Sequence, residues 1–320
     1  MKSIDEKIAL SEAQWRRYRY EKAGIPETAF RFGRAVEKGI GKRVRCVFGN
    51  INPGMKRTGF KATYDEKKEN IVVSLTSTGS RIKNIFPTLY SLALQSRRPD
   101  LIVLWLDRGV HYPGGVISQV KALGVTVRYV KDLGPHTKYH YAFAEFKKDV
   151  VITVDDDIIY HRNMIKELYA AYLKHPGQVV ARRVHRMRFG TNKKPVRYRD
   201  WIWEYRDADA PAHDLFATGV GGVLYPPAVM ALDCWKSTDF LKVCPKADDI
   251  WLKFCELKSG VKVCAVRRAG FLKDSVNLRT LKPGLSAFNI NAGRNDRYMR
   301  SCAKYFGFTG DLCERILGEY

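Results

Sequence analysis

Val150-Val151-Ile152-Thr153-Val154-Asp155-Asp156-Asp157 sets five strand-forming residues directly before three acids. An unbroken β-branched, apolar run of this length reads as a strand buried on both faces, the pattern of a parallel sheet. Ile71–Leu75 and Leu101–Leu106 repeat the pattern upstream, and Val125–Val130 adds another strand. Between these runs the period changes. Ile82, Ile85, Phe86, Leu89 and Leu92 recur at helical spacing over residues 82–95, with Pro87 near the start. Val116–Leu123, Lys138–Phe146 and Met164–Leu173 read as further helices. Strands alternating with helices predict right-handed βαβ units and a mostly parallel α/β sheet flanked by helices. In such sheets ligands bind beyond the carboxyl ends of the strands. Three polar groups fall at those ends and are expected to converge: Thr76, Ser77, Thr78 and Arg81; Asp107; and Asp155, Asp156 and Asp157.

Downstream the pattern is less regular. Gly177–Val184 reads as a strand, and Gly219–Tyr225 as a glycine-rich strand stopped by Pro226-Pro227. Ala247–Leu257 reads as a helix and Val261–Val266 as a strand. Upstream, residues 1–68 form a basic N-terminal extension broken at Pro26, Gly49 and Pro53-Gly54, with residues 69–320 as the main domain. Its basic, aromatic stretch Trp15-Arg16-Arg17-Tyr18-Arg19-Tyr20 suits either peripheral contact with an anionic membrane or packing on the main domain.

The formal charge of +23 favours an anionic partner: nucleic acid, an acidic membrane face or a phosphorylated substrate. No apolar run approaches the roughly 20 residues that span a bilayer, and the N-terminus lacks the apolar core of a secretory signal. The expected location is cytoplasmic, at the inner face of the membrane where lipid is engaged. Seven cysteines, an odd number without a CxxC pair, are expected to be reduced, with no structural zinc.

Three adjacent carboxylates repel one another unless solvated or neutralised. A divalent cation relieves this, since Mg²⁺ and Mn²⁺ take oxygen ligands and share substrate phosphates. The alternative is an acidic turn capping the next helix. Asp248-Asp249, at the start of a predicted helix, has the same two readings: general base or helix cap.

The aspartates at the end of a fourth strand resemble the DxD motif of GT-A fold glycosyltransferases, and the resemblance covers roughly residues 70–265. It implies a Rossmann-like GT-A domain and a nucleotide-sugar donor, most often UDP-linked, with Mn²⁺ or Mg²⁺ as cofactor. Thr76–Arg81 match the segment that holds the nucleoside, and Asp107 matches a contact to the base. Lys138 matches a lysine that approaches the donor diphosphate. Asp155 and Asp156 would face ribose or metal-bound water; Asp157 would bind the metal directly, with Asp155 as the second candidate ligand. Inverting members often carry an acid pair where Asp248-Asp249 stands, and Asp249 matches the base that deprotonates the acceptor. Asp248 stands where Glu is more usual. Gly219–Gly222 match a segment lining the donor-sugar pocket, with Gly221 and Gly222 as the candidate donor contacts, which bulged strand packing would also explain. Asp200, Trp201 and Trp203 are candidates for acceptor contact, with core packing the simpler reading of the tryptophans. Many relatives use a late His as a metal ligand; no His follows His213, leaving Asn291, Asn295 and Asp296 as candidates. The stretch Asn289–Asp296 reads as a polar loop.

The resemblance implies hexosyl or N-acetylhexosaminyl transfer, with inversion, to a glycan or lipid-linked saccharide in surface-polysaccharide biosynthesis. A nucleotidyltransferase acting on sugar phosphates is the nearest alternative, but Thr78-Gly79-Ser80 supplies one glycine where such enzymes need a glycine-rich loop. A nucleic-acid-binding protein is the next, and the sequence holds no zinc finger, RNP-like motif or Walker loop.

Overall fold

Apolar β-branched runs make the strands, and each crossover returns along one side of them. The computed structural model describes residues 60–191, 194–206, 210–227, 235–266, 276–277 and 293–308, together with Val229 and Ile316. In chain order the elements are β1 (Ile71–Thr76), α1 (Phe86–Ala93), β2 (Leu101–Asp107), α2 (Gly114–Ala122) and β3 (Thr126–Val130). Next come α3 (Thr137–Glu145), β4 (Val150–Thr153), β5 (Ile158–Ile159), α4 (Met164–Lys174), β6 (Val179–Ala181) and β7 (Val184–Arg186). The chain continues through β8 (Leu215–Ala217), β9 (Val223–Tyr225), α5 (Phe240–Val243), α6 (Asp248–Lys258) and β10 (Val263–Ala265). The last two described elements are β11 (Val276–Asn277) and α7 (Arg294–Phe306).

The main sheet has the order β10-β6-β9-β4-β1-β2-β3. Its pairs are parallel except for β9, which runs antiparallel to both β4 and β6. Side chains alternate between two cores, as the strand period requires. Val73, Leu75 and Ile152 meet Leu89, Leu92, Ile165 and Leu168 of α1 and α4. Val72, Trp105 and Val151 share the opposite core with Tyr139 and Phe143 of α3 and with Ile250 and Phe254 of α6. Each such side chain contributes roughly 1.5–3 kcal/mol through burial.

The ends of the sheet differ in kind. At the amino end, Asn70 donates its backbone N–H and its side-chain amide to Asp149 Oδ1 at 3.0 and 2.9 Å, and Tyr64 O–H reaches Asp149 Oδ2 at 3.0 Å. These bonds fix the starts of β1 and β4 relative to each other. The carboxyl end is left to polar side chains.

Several expectations change. Residues 79–84 form a 3₁₀ turn before α1, and Pro87 sits in that helix's first turn, where its missing N–H costs nothing. The strand expected over Gly177–Val184 divides: Val179–Ala181 joins the main sheet, whereas Val184 pairs with Ala217 in a separate hairpin. Gly219–Gly221 is a 3₁₀ turn, and strand β9 begins only at Val223, because Gly222 has φ +87°, outside β geometry. Arg294–Asp296 open α7, not a loop; Asn289–Asn291 lie outside the described residues.

Of the expected N-terminal extension, residues 60–68 pack on the sheet, with Phe60 buried and its N–H on Leu123 O at 3.1 Å. Residues 1–59, with the Trp15–Tyr20 stretch, lie outside the described residues. Cys244, Cys255, Cys264 and Cys302 are buried thiols in no disulfide among the described residues; Cys46, Cys234 and Cys313 lie outside the described residues. No helix among the described residues is long and apolar enough to cross a membrane.

Candidate active site

Beyond β4 the chain turns sharply through the three aspartates. The turn is held from outside: Asp155 N–H donates to Tyr160 Oη at 2.8 Å, and Thr88 O–H donates to the carbonyl of Asp156 at 3.0 Å. Arg81 makes an ion pair with buried Asp156 and lies 3.9 Å from Asp157 Oδ2. Burial lowers the Arg81 pKa, while the charges of Asp157 and Asp155 work to raise it. Burial, and then the charge of Asp155, push the Asp157 carboxyl up to about 6.

Lys138 enters from the first turn of α3. Its carbonyl accepts Ser74 O–H from β1, and Trp105 Nε1–H of β2 donates to the same hydroxyl at 2.8 Å. The ammonium is only 6% exposed, lying 2.7 Å from Asp155 Oδ1 and 3.1 Å from Asp248 Oδ2. Burial opposes its charge, but Asp155 and Asp248 overcome that and hold its pKa above the ordinary lysine value. One cation thus joins the end of β4 to the start of α6.

Asp249 follows, donating no proton but accepting Ile250 N–H at 3.0 Å, so it also serves the helix end. Burial, and then the neighbouring Asp248 charge, raise its carboxyl to about 7. A carboxylate so poised is suited to take a proton near neutrality. His136 ties the two helix starts together. Its Nε2–H donates to Cys244 O at 2.8 Å, its Nδ1 accepts Tyr139 O–H at 2.9 Å, and its ring stacks on Phe240 at 4.1 Å. Burial keeps it neutral, with a pKa of about 4.

Residues 80–223, which run from the Arg81 turn through the three aspartates to the Gly219–Gly222 turn, match the family model of glycosyl transferase family 2. That match covers a little under half of the chain and likens its central segment to the family. No curated protein matches the chain. Among solved structures it is similar to S. aureus TarS in complex with UDP, with 16% identity over 61% of this chain and 57% of that one, at a TM-score of 0.44. It is also similar to glucosyl-3-phosphoglycerate synthase from Mycobacterium tuberculosis in complex with Mn²⁺, UDP-glucose and phosphoglyceric acid. There the identity is 18% over 36% of this chain and 44% of that one, at a TM-score of 0.30. The chain spans less than two thirds of the length of either structure.

At the same edge of the sheet Thr76 O–H bonds Trp105 O at 3.0 Å, and Ser77 is buried with no hydrogen-bond partner for its hydroxyl among the described residues. Thr78 precedes the 3₁₀ turn that carries Arg81. Asp107 closes β2, and its Oδ1 accepts Gly109 N–H at 3.0 Å. The glycine turn is split in role. A Cβ on Gly219 would lie 3.2 Å from Lys138 Nζ, so this position borders the lysine. Gly221 abuts Arg183, and Gly222 faces Met164 and Leu168 of α4. Trp201 is buried, whereas Trp203 and Asp200 are exposed. Asp296 Oδ1 accepts Tyr198 N–H at 2.7 Å, and Asn295 is buried.

Among the described residues no group of three His, Cys, Asp or Glu side chains is assembled around a metal position. Asp155 and Asp157 still fit a cation that completes its shell with phosphate oxygens. Their mutual repulsion, seen in the raised Asp157 pKa, is what such a cation relieves. His136 and Tyr198 were missed in the sequence, where a lone buried His or Tyr carries no spacing signal.

Proposed function

We propose that this chain is a glycosyltransferase that moves a hexosyl or N-acetylhexosaminyl group from a nucleotide-diphosphate sugar, UDP-linked in the first instance, to a glycan or lipid-linked saccharide. The observation that carries the reading is buried Lys138, bonded at once to Asp155 beyond β4 and to Asp248 beside Asp249. The diphosphate end of the donor is assigned to Lys138 and the Arg81 turn, and the nucleoside to Thr76, Ser77, Thr78 and Asp107. Asp155 and Asp157 would hold Mn²⁺ or Mg²⁺, which supplies charge neutralisation to the leaving diphosphate.

Transfer inverts the anomeric carbon. The acceptor hydroxyl oxygen attacks that carbon as the bond to the diphosphate oxygen breaks, and the hydroxyl proton passes to Asp249. Lys138 donates to the diphosphate as its charge grows. The +23 charge supports work at the cytoplasmic face of an anionic membrane, where lipid-linked acceptors are presented.

Nucleotide release from a panel of UDP-, GDP- and CDP-sugars, with Mn²⁺, Mg²⁺ or EDTA, tests the reading. Release from one donor, abolished by EDTA and by Asp157→Asn, is the expected result. Undiminished release by Asp157→Asn would remove the metal assignment. Absence of both release and calorimetric donor binding would remove the donor site.

A further inference from the structure

The chain from Arg186 to Arg199 contains basic residues and no acid. Arg186 is engaged with Asp214 at 2.6 Å. Arg188, Arg197 and Arg199 are exposed, and among the described residues no acid pairs with Arg188 or Arg197. This basic stretch is anchored in the core through Tyr198. Tyr198, between two of the arginines, is buried against Trp201 and Phe216, at 4.7 and 5.8 Å. Its backbone N–H donates to Asp296 Oδ1 at 2.7 Å, which ties the stretch to the start of α7.

Ile202 and Trp203 follow, 44% and 37% exposed, unlike the buried Trp105, Trp201, Trp235 and Trp251. Their position is enforced. Glu204 has φ +48°, a left-handed conformation uncommon outside glycine, and it is the sole non-glycine residue of that kind among the described residues. Its N–H donates to His185 Nδ1 at 3.1 Å, and its carboxylate accepts Arg183 Nε–H at 3.0 Å. Arg183 in turn donates to Thr218 Oγ1 at 3.2 Å, and Thr218 adjoins Gly219 at the Lys138–Asp155 pair. Strained backbone held by several bonds marks a segment whose shape is used.

The geometry points to an acceptor shelf for an anionic saccharide, one bearing phosphate or carboxylate groups. Trp203 presents a ring to the apolar face of a sugar, and Arg188, Arg197 and Arg199 offer guanidinium forks to its anionic groups. The assignment rests on the transferase reading for its role as acceptor site. Its ligand chemistry rests on charge and ring exposure alone.

Binding of the full chain to phosphomannan, polygalacturonate and neutral dextran tests it at fixed ionic strength. One anionic polymer should bind at least about tenfold more tightly than dextran, and the preferred one separates phosphate from carboxylate. The triple variant Arg188→Gln, Arg197→Gln, Arg199→Gln should lose that preference. Lys67→Gln, Lys147→Gln, Lys148→Gln removes exposed charge near the opposite end of the sheet and should keep it. Trp203→Ala should weaken the binding of dextran and the anionic polymers together.

Equal losses in both triple variants would reduce the shelf to general basic charge and overturn the proposal. So would absence of binding to either anionic polymer. An arginine variant that keeps polysaccharide binding but loses phosphatidylglycerol vesicles or single-stranded DNA would reassign the surface and overturn it too. Nucleotide release is scored separately: its absence with intact shelf binding removes the transferase reading and leaves the saccharide surface.

Discussion

Two acidic groups meet at Lys138, and within each one the lysine treats neighbours differently. Beyond β4, Asp155 takes the ammonium at 2.7 Å while Asp157 is left with a carboxyl raised to about 6 by burial and by Asp155. At the start of α6, Asp248 takes it at 3.1 Å while Asp249 is raised to about 7 by burial and by Asp248. In both, one carboxylate bonds the lysine directly, while the other has its pKa raised by burial and by its acidic neighbour; Arg81 partly offsets this at Asp157. The lesson is that adjacent acids of the same type are divided into separate roles by which of two cations, Lys138 or Arg81, reaches each of them. The sequence, where all five look alike, does not show that division.

Removing the shared cation tests this most severely. Lys138→Met leaves two half-buried carboxylates without their shared cation and should cost about 1–3 kcal/mol of stability, along with nucleotide release. Chemical denaturation and the release assay check it together. Stability close to wild type would mean that the acids are balanced by something other than Lys138.

Asp249→Asn comes next. It should reduce transfer by about 10²–10⁴ while calorimetry still finds the donor bound. The wild-type rate should fall as pH drops through about 7, where Asp249 gains its proton. Stability carries the opposite sign. A carboxyl raised from 3.8 to about 7 holds its proton in the folded state at pH values where the unfolded chain has lost it. Folding is therefore favoured at low pH, and that advantage is lost as pH rises through this window. Asp249→Asn should flatten that part of the melting-temperature profile. A rate profile unchanged by pH between 5 and 8 would refute the assignment of Asp249 as base.

The glycine turn gives the smallest effects. Gly222→Ala forces a side chain to φ +87° and should cost about 1–3 kcal/mol, read in a melt. Gly219→Ala should change stability less and weaken donor binding a few-fold, because its methyl would sit 3.2 Å from Lys138 Nζ. The reverse ranking would exchange the roles of the two glycines.

Much of this was legible in the sequence for physical reasons. Buried parallel strands are apolar throughout, so β1, β2 and β4 could be read directly, and a strand ending on acids locates the cleft edge. Residues after 175 were harder. Val179–Ala181 and Val184–Arg186 are each three residues long, too short for a period of two to separate them. Gly219–Tyr225 looked like one strand because composition does not reveal a positive φ. His136 escaped notice because a lone buried histidine carries no periodic signal, and its partner carbonyl lies 108 residues away.

That last link bears on how this domain can be recombined. The joint of His136 with Cys244 O, and the stacking on Phe240, mount the lysine helix and the Asp248-Asp249 helix on one frame. A chimera with its crossover anywhere between residues 146 and 240 draws the two halves of that frame from different parents. Such a hybrid would keep every motif in place and still misalign the two acidic groups, unless the histidine and the loop it grips came from the same parent. Grafts meant to change the proposed specificity are best cut outside residues 134–249.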